Sequence, residues 1–246
     1  MADLAEVYEQ TRRDLIAFVE GLDEEGLMTP LPATPGWTAR DVISHLTGDV
    51  ACVGRGDFPR EFFESFGDEA AVVSLNAWTD GHIESRRGKT LGEVISEWDA
   101  LAEKELLPMM RGEVPWPEGV PPFADRVLIT DIGVHQQDIH GAFGIERGRD
   151  GAPVKIGSSG YIATMGWRLA ADRVGAIGIE TPDKSWITGG DEATATVRVT
   201  SRFELFRALS GRRSMKQLRA YDWTGDPEPL LRYFYPYGIR EDALVE

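Results

Sequence analysis

Histidine and aspartate side chains recur at helical spacing in two short segments of the chain. In the later segment, Asp131, His135 and Asp138 occupy positions i, i+4 and i+7, so they share one face of a predicted helix. In the earlier segment, His45 lies on the apolar face of another predicted helix, and Asp49 follows it by one turn. Imidazole nitrogens and carboxylate oxygens are ligands that zinc accepts in proteins. These residues could therefore hold a divalent cation between two helices.

The same spacing also has a purely structural interpretation. A histidine on an apolar helix face is commonly a hydrogen-bonded core residue, and the pair Asp131 and His135 could be a simple salt bridge. Burial of an unpaired polar group is costly, so either interpretation requires a partner for His45. The spacing by itself leaves both open.

Two regions of different pattern must position these residues, and they divide near residue 150. The first region, 1–150, shows amphipathic helical periodicity interrupted by loops rich in glycine and proline. Thr90 and Glu93 form a predicted capping box at the start of one helix. The predicted helices of this region span 4–21, 38–55, 72–86, 90–110 and 123–143.

The second region, 151–246, mixes helical and alternating patterns, which predicts an α+β domain. Residues 174–181 and 193–200 are rich in β-branched side chains, as strands are. The predicted order is a helix at 160–173, strands at 174–181 and 193–200, a helix at 202–210, a strand at 218–223 and a helix at 229–235.

Composition limits the class of protein. The 246 residues are 42% hydrophobic, which is enough for a substantial core, and the net charge of −15 disfavours binding to nucleic acid and to anionic membranes. Cys52 is the only cysteine, so no internal disulfide forms; we expect a buried thiol and a reducing compartment. No leader pattern and no long apolar run occur, which predicts a soluble cytoplasmic protein without membrane contact. Nothing in the sequence indicates an oligomeric state.

Two motifs resemble one known family. Residues 37–46, WTARDVISHL, followed much later by the Asp131, His135 and Asp138 pattern, resemble the mycothiol-dependent maleylpyruvate isomerase family within the DinB-like superfamily. Residues 203–213, FELFRALSGRR, and 223–227, WTGDP, resemble the small C-terminal domain of that family. The resemblance implies an α+β protein, in which a DinB-like four-helix bundle precedes a small sterol-carrier-like domain.

The resemblance also implies a ligand set. His45, Asp131 and His135 match the positions that hold zinc or another divalent metal in the family. Asp138 matches an acidic position just after the ligands, where it would orient a ligand or the helix. The family has glutamate where this chain has Asp131, and aspartate is shorter by one methylene. Ligation would then need a small helix shift, a bridging water or a different metal.

The activity implied by the resemblance depends on an external thiol. Mycothiol would occupy the open metal position, where the metal lowers the thiol pKa, and the thiolate would isomerise a small maleylpyruvate-like substrate or be transferred to an electrophile. Two alternatives stay open. One is a DinB-like metal-dependent hydrolase, which would act without a thiol. The other is a non-catalytic protein whose C-terminal domain binds a hydrophobic ligand.

Guanidinium groups near the metal would bind an anionic substrate or cofactor. Arg86, Arg87 and Arg168 are the candidates for this role, although an arginine at such a position is more commonly a solvated surface residue. His82 and His140 are given no ligand role. We expect His140 to be exposed, because it lies five residues after His135 on another face of the helix.

Overall fold

The computed structural model describes residues 3–65 and 68–246. This part of the chain divides into two compact units between Ile145 and Glu146. None of its helices is long and apolar enough to cross a membrane.

The N-terminal unit is a helical bundle. Its helices span Leu4–Glu20 (α1), Glu24–Leu27 (α2), Ala39–Gly54 (α3), Arg60–Glu64 (α4), Glu69–Glu84 (α5), Leu91–Leu101 (α6), Leu107–Met110 (α7) and Ala124–Ala142 (α8). Helix α3 lies at the centre, where it packs against α5, α6 and α8, while α1 packs against α7 and α8. The Trp98 indole donates to the Tyr8 hydroxyl at 3.1 Å and joins α6 to α1 inside the core.

Capping side chains fix the start of α3, which carries His45, and of α6. The Asp41 carboxylate accepts a hydrogen bond from the backbone N–H of Thr38 at 2.8 Å, and the Thr38 hydroxyl accepts one from the N–H of Asp41 at 3.3 Å. The predicted capping box at Thr90 and Glu93 is present at the start of α6. These bonds satisfy N–H groups that a helix leaves unpaired at its first turn, so they define where each helix begins.

The helix predicted over 90–110 is interrupted by a π-helical segment at Ala102–Leu106 between α6 and α7. Pro108 follows this segment and has no N–H to donate to the carbonyl of Lys104. A wider turn before the proline accommodates that missing bond without ending the helix. The regular helix predicted there was therefore wrong in detail.

The C-terminal unit packs helices on a four-stranded sheet. Its elements span Ala152–Asp172 (α9), Ala176–Glu180 (β1), Ser185–Thr188 (β2), Ala193–Arg198 (β3), Arg202–Leu209 (α10), Met215–Arg219 (α11), Asp222–Thr224 (β4) and Glu228–Leu231 (α12). The strand order is β2-β1-β3-β4, with β1 and β3 parallel and the outer pairs antiparallel. Buried side chains of α9, α10 and the two central strands form its core, among them Leu169, Ile177, Val197 and Leu205.

Two predictions for this unit were wrong. Helix α9 begins at Ala152, well before residue 160. The glycines and serines that follow have low helix propensity, so the sequence did not indicate this earlier start. Pro153 is nevertheless compatible with the first turn of a helix, where its missing N–H costs no hydrogen bond. The strand predicted over 218–223 is instead the end of α11 followed by the short strand β4. A capping box between Ser214 and Gln217 starts α11.

Candidate metal centre

Helix α3 presents His45 to the interior of the bundle. The capping box at Thr38 sets the rotation of the helix, and Val42 and Leu46 pack on the same side as His45. Only 3% of His45 is exposed. Its ring therefore needs polar partners from neighbouring helices.

Helix α8 supplies those partners. The Oδ2 atom of Asp131 lies 3.2 Å from Nε2 of His45, and Oδ1 of the same carboxylate lies 3.7 Å from Nε2 of His135. One atom from each of the three residues lies within 4.8 Å of the other two. The structure thus brings together the three residues for which a metal role was predicted.

The donor set fits a zinc ion. In a tetrahedral site with bonds of about 2.0 Å, the ligand atoms lie about 3.3 Å apart. The 3.2 Å between Oδ2 of Asp131 and Nε2 of His45 is close to that separation, while the 3.7 Å contact with Nε2 of His135 is made by the other carboxylate oxygen, Oδ1. The shorter aspartate side chain therefore reaches both imidazoles from α8. Asp131 is the most exposed of the three, with 31% of its side chain accessible.

Asp138 and Trp37 hold His135 from the other sides. The buried Asp138 carboxylate accepts a hydrogen bond from the Thr34 hydroxyl at 2.7 Å, and its Oδ2 lies 3.0 Å from Nδ1 of His135. The Trp37 ring stacks on His135 with centroids 5.6 Å apart and also contacts the His45 ring. These contacts leave Nε2 of His135 directed toward Asp131.

A second group of donors shares His45. Nδ1 of His82 lies 3.3 Å from Nδ1 of His45 and 3.3 Å from Oδ1 of Asp49, and Oδ2 of Asp49 lies 3.5 Å from Nε2 of His45. All three residues are buried. His45, Asp49 and His82 are thus a second set of side chains with the spacing of a metal site.

Sequence reasoning gave no role to His82, although a signal for it exists. Ala71, Leu75, Trp78 and His82 follow one another at heptad spacing and form the stripe of α5 that packs on α3. On α3, Gly48 faces this stripe, and a Cβ there would overlap the His82 ring. The close approach of the two histidines therefore depends on a glycine.

The electrostatics of the cluster differ from group to group. Burial raises the pKa of Asp49 well above its usual value, and the neighbouring Asp131 adds to this effect. Burial opposes the charge of Asp131 too, but the imidazoles of His135 and His45 outweigh it and lower the pKa of that carboxyl. Burial and the charge of Arg86 lower the pKa of His82 to about 4. Of the two carboxyl groups, Asp49 is therefore the harder to ionise and Asp131 the easier.

The three candidate arginines lie in different surroundings. Arg86 is buried and pairs with Glu97 at 2.6 Å. Arg87 is exposed and pairs with Glu84. Arg168 belongs to the C-terminal unit, where it donates to the backbone carbonyl of Tyr233 at 3.2 Å.

His140 and Cys52 lie outside the proposed metal centre, and both are buried. His140 is 2% exposed and meets the Phe18 ring edge-on at 5.5 Å, so the prediction of an exposed residue was wrong. The reason is that α1 covers this face of α8. Cys52 is buried, as predicted, and burial is the main cause that raises its pKa to about 11.

The bundle that carries this cluster matches a known family. A profile described as the mycothiol maleylpyruvate isomerase N-terminal domain matches residues 8–140, a segment that contains His45, Asp131 and His135. The chain belongs to this family. No curated protein matches the chain.

Solved structures confirm the fold predicted from the family resemblance. The crystal structure of a mycothiol-dependent maleylpyruvate isomerase, and that of a mutant of it, each match with a TM-score of 0.54 and 11% sequence identity. In each case the match covers 85% of this chain and 88% of that chain. At this identity the likeness establishes the fold, a helical bundle with a small mixed domain.

Proposed function

We propose that the protein is a metal-dependent enzyme that uses mycothiol to isomerise a maleylpyruvate-like substrate or to form a thioether with an electrophile. The observation that carries this proposal is the convergence of His45, Asp131 and His135 inside the bundle matched by the family. Two imidazoles and one carboxylate leave one tetrahedral position open to a ligand from outside.

Zinc is the metal that we assign to these three ligands. When bound there, zinc lowers the pKa of a thiol in the open position, which makes thiolate available near neutral pH. Asp131 holds the two imidazoles in place by contacting both, and Asp138 with Thr34 fixes the ring of His135 from behind. The partial exposure of Asp131 marks the side from which a thiol would approach.

The thiol must come from outside the chain. Cys52 is the only cysteine, it is 7% exposed, and burial keeps it protonated at neutral pH because its pKa is about 11. A protonated, buried thiol is a poor nucleophile. This agrees with the use of a low-molecular-weight thiol.

The isomerisation balances without water or an oxidant. The thiolate sulfur forms a bond to one carbon of a conjugated cis double bond, and the displaced electron pair moves to the carbonyl oxygen. The carbon–carbon bond, now single, rotates; the electron pair then returns and expels the thiolate to leave the trans product. With a saturated electrophile, the carbon–sulfur bond persists and the leaving group departs with its electron pair.

Turnover of maleylpyruvate with and without mycothiol tests the proposal. We expect activity only with the thiol, a rate within about twofold of wild type for Cys52→Ala, and a loss of at least about 100-fold for His45→Ala. Arg87→Gln is the control, because the Arg87 side chain is 70% exposed and pairs with Glu84, which is also exposed. Equal rates with and without thiol would instead support the hydrolase.

A further inference from the structure

A cavity of about 500 Å³ lies beside the metal centre, between α3, α5 and α6. Its wall includes Trp78, His82, Arg86, Lys89 and Glu97. Small-molecule sites in proteins have volumes in this range. None of the three proposed zinc ligands lines the cavity, but His82, which does, has its Nδ1 3.3 Å from Nδ1 of His45.

Two buried ring nitrogens in this wall have no hydrogen-bond partner among the described residues. One is Nε1 of Trp78, and the other is Nε2 of His82. Nδ1 of His82 is engaged by His45 and Asp49, so Nε2 is directed away from them. In the tautomer in which Nδ1 accepts from His45, Nε2 carries a proton. The Trp78 and His82 rings are in contact, with centroids 4.1 Å apart.

The charge around the cavity is positive, although the whole chain carries −15. The lining includes the cations Arg55, Arg86 and Lys89 against the acids Asp57 and Glu97. Glu97 binds Arg86 at 2.6 Å and Lys89 at 2.8 Å, so one carboxylate is shared by two cations. A negatively charged ligand would provide a second anion for these two cations, and its oxygens would accept hydrogen bonds from the two N–H groups.

We propose that this cavity binds a small carboxylate, whose oxygens accept hydrogen bonds from Trp78 and His82 while Arg86 and Lys89 supply the opposing charge. A carboxylate suits the site because it has two oxygens, each of which can accept a hydrogen bond from a different donor. The inference concerns binding, and it does not depend on the chemistry proposed for the metal centre.

Succinate is a suitable probe because it is unreactive toward thiols. The full-length protein is titrated with succinate, and the indole N–H signals of its seven tryptophans are followed by NMR. Trp78→Phe identifies the Trp78 signal by its disappearance. We expect a saturable downfield shift of that signal, and we expect Trp78→Phe to weaken succinate binding about tenfold, since it removes a hydrogen bond to a charged acceptor.

Lys89→Gln is a second variant that is less able to disturb the fold, since 43% of the Lys89 side chain is exposed. It should weaken succinate binding about threefold. Arg87→Gln is the matched control, because Arg87 is adjacent in sequence to Arg86 but does not line the cavity, and its affinity should equal that of wild type.

Three results would overturn the assignment. One is the absence of a saturable shift at Trp78. Another is equal binding of succinamide, the uncharged analogue, which would show that the site does not select an anion. The third is tighter binding of inorganic phosphate than of succinate, which would replace the carboxylate by a different oxyanion. The titration is repeated after a chelator has removed any bound metal, which distinguishes succinate binding in the cavity from succinate binding to a metal ion.

Discussion

The Asp131 carboxylate lies between two imidazoles, with Oδ2 3.2 Å from Nε2 of His45 and Oδ1 3.7 Å from Nε2 of His135. This contact joins α3 to α8 at the point where both helices present polar groups to the interior. An aspartate therefore reaches both imidazoles at a position where the family resemblance implies a glutamate.

Asp131→Glu should weaken zinc binding. The aspartate already contacts both histidines, so one more methylene moves the carboxylate about 1 Å too far, whereas a zinc–oxygen bond tolerates an error of about 0.2 Å. We expect the Kd for zinc to rise about tenfold in competition with a chromophoric chelator. Tighter binding by the glutamate variant would show that the site has only drifted from the family pattern. An unchanged Kd would mean that residue 131 is not a ligand.

Asp131→Asn and Asp49→Asn form a matched pair that distinguishes the two donor sets. Each change keeps the shape of the side chain and replaces its carboxyl group by an amide, but only Asp131 belongs to the proposed ligand set. We expect a loss of zinc affinity above about 100-fold for Asp131→Asn and of about tenfold for Asp49→Asn, which would act through His45. The same chelator competition measures both. The reverse order would place the ion between His45, Asp49 and His82.

Much of the centre could be predicted because its ligands are local in sequence. Asp131, His135 and Asp138 share one face of a single helix, and periodicity alone reveals that face. His45 needed the motif around it. His82 could not be placed in the same way, since its contact with His45 depends on how α5 crosses α3 at Gly48, a tertiary relationship.

The fold shows the same difference between local and non-local information. The long helices of the bundle have strong periodicity and capping residues, and they were predicted to within a few residues. The short strands β2 and β4 have three or four residues, and pairing with neighbouring strands stabilises them more than their own sequence does. Sequence patterns of that length do not distinguish a strand from the end of a helix, as the error at 218–223 shows.

Stability should fall in acid because of Glu204 in the C-terminal unit. Its carboxylate binds Arg213 through two contacts of 2.6 Å and accepts from the Tyr221 hydroxyl. Burial opposes its charge, but the bonds and charge of Arg213 outweigh burial and hold the pKa of Glu204 below its ordinary value. A lowered pKa stabilises the fold above the unfolded value of about 4.3, and that stabilisation is lost as pH falls through the folded pKa.

Glu204→Gln should therefore lower the free energy of unfolding by about 2 kcal/mol at pH 7, and by less at pH 3.5, which is below the unfolded pKa of about 4.3, so that part of the stabilisation by the charged carboxylate is already lost. Urea denaturation at the two pH values provides the comparison. Glu228→Gln is the control, because its pair with Arg219 is exposed and should change stability little at either pH. An equal loss at both pH values for Glu204→Gln would rule out the charged pair as the cause.

The zinc content of purified variants tests the central claim most directly. After saturation with zinc and dialysis, elemental analysis should find about one zinc per chain in the wild type and in Arg87→Gln, because three protein ligands suffice for tight retention. His45→Ala and His135→Ala should each retain less than about a tenth of that amount. Full zinc occupancy in His45→Ala, or none in the wild type, would contradict the assignment of His45, Asp131 and His135 as the metal ligands.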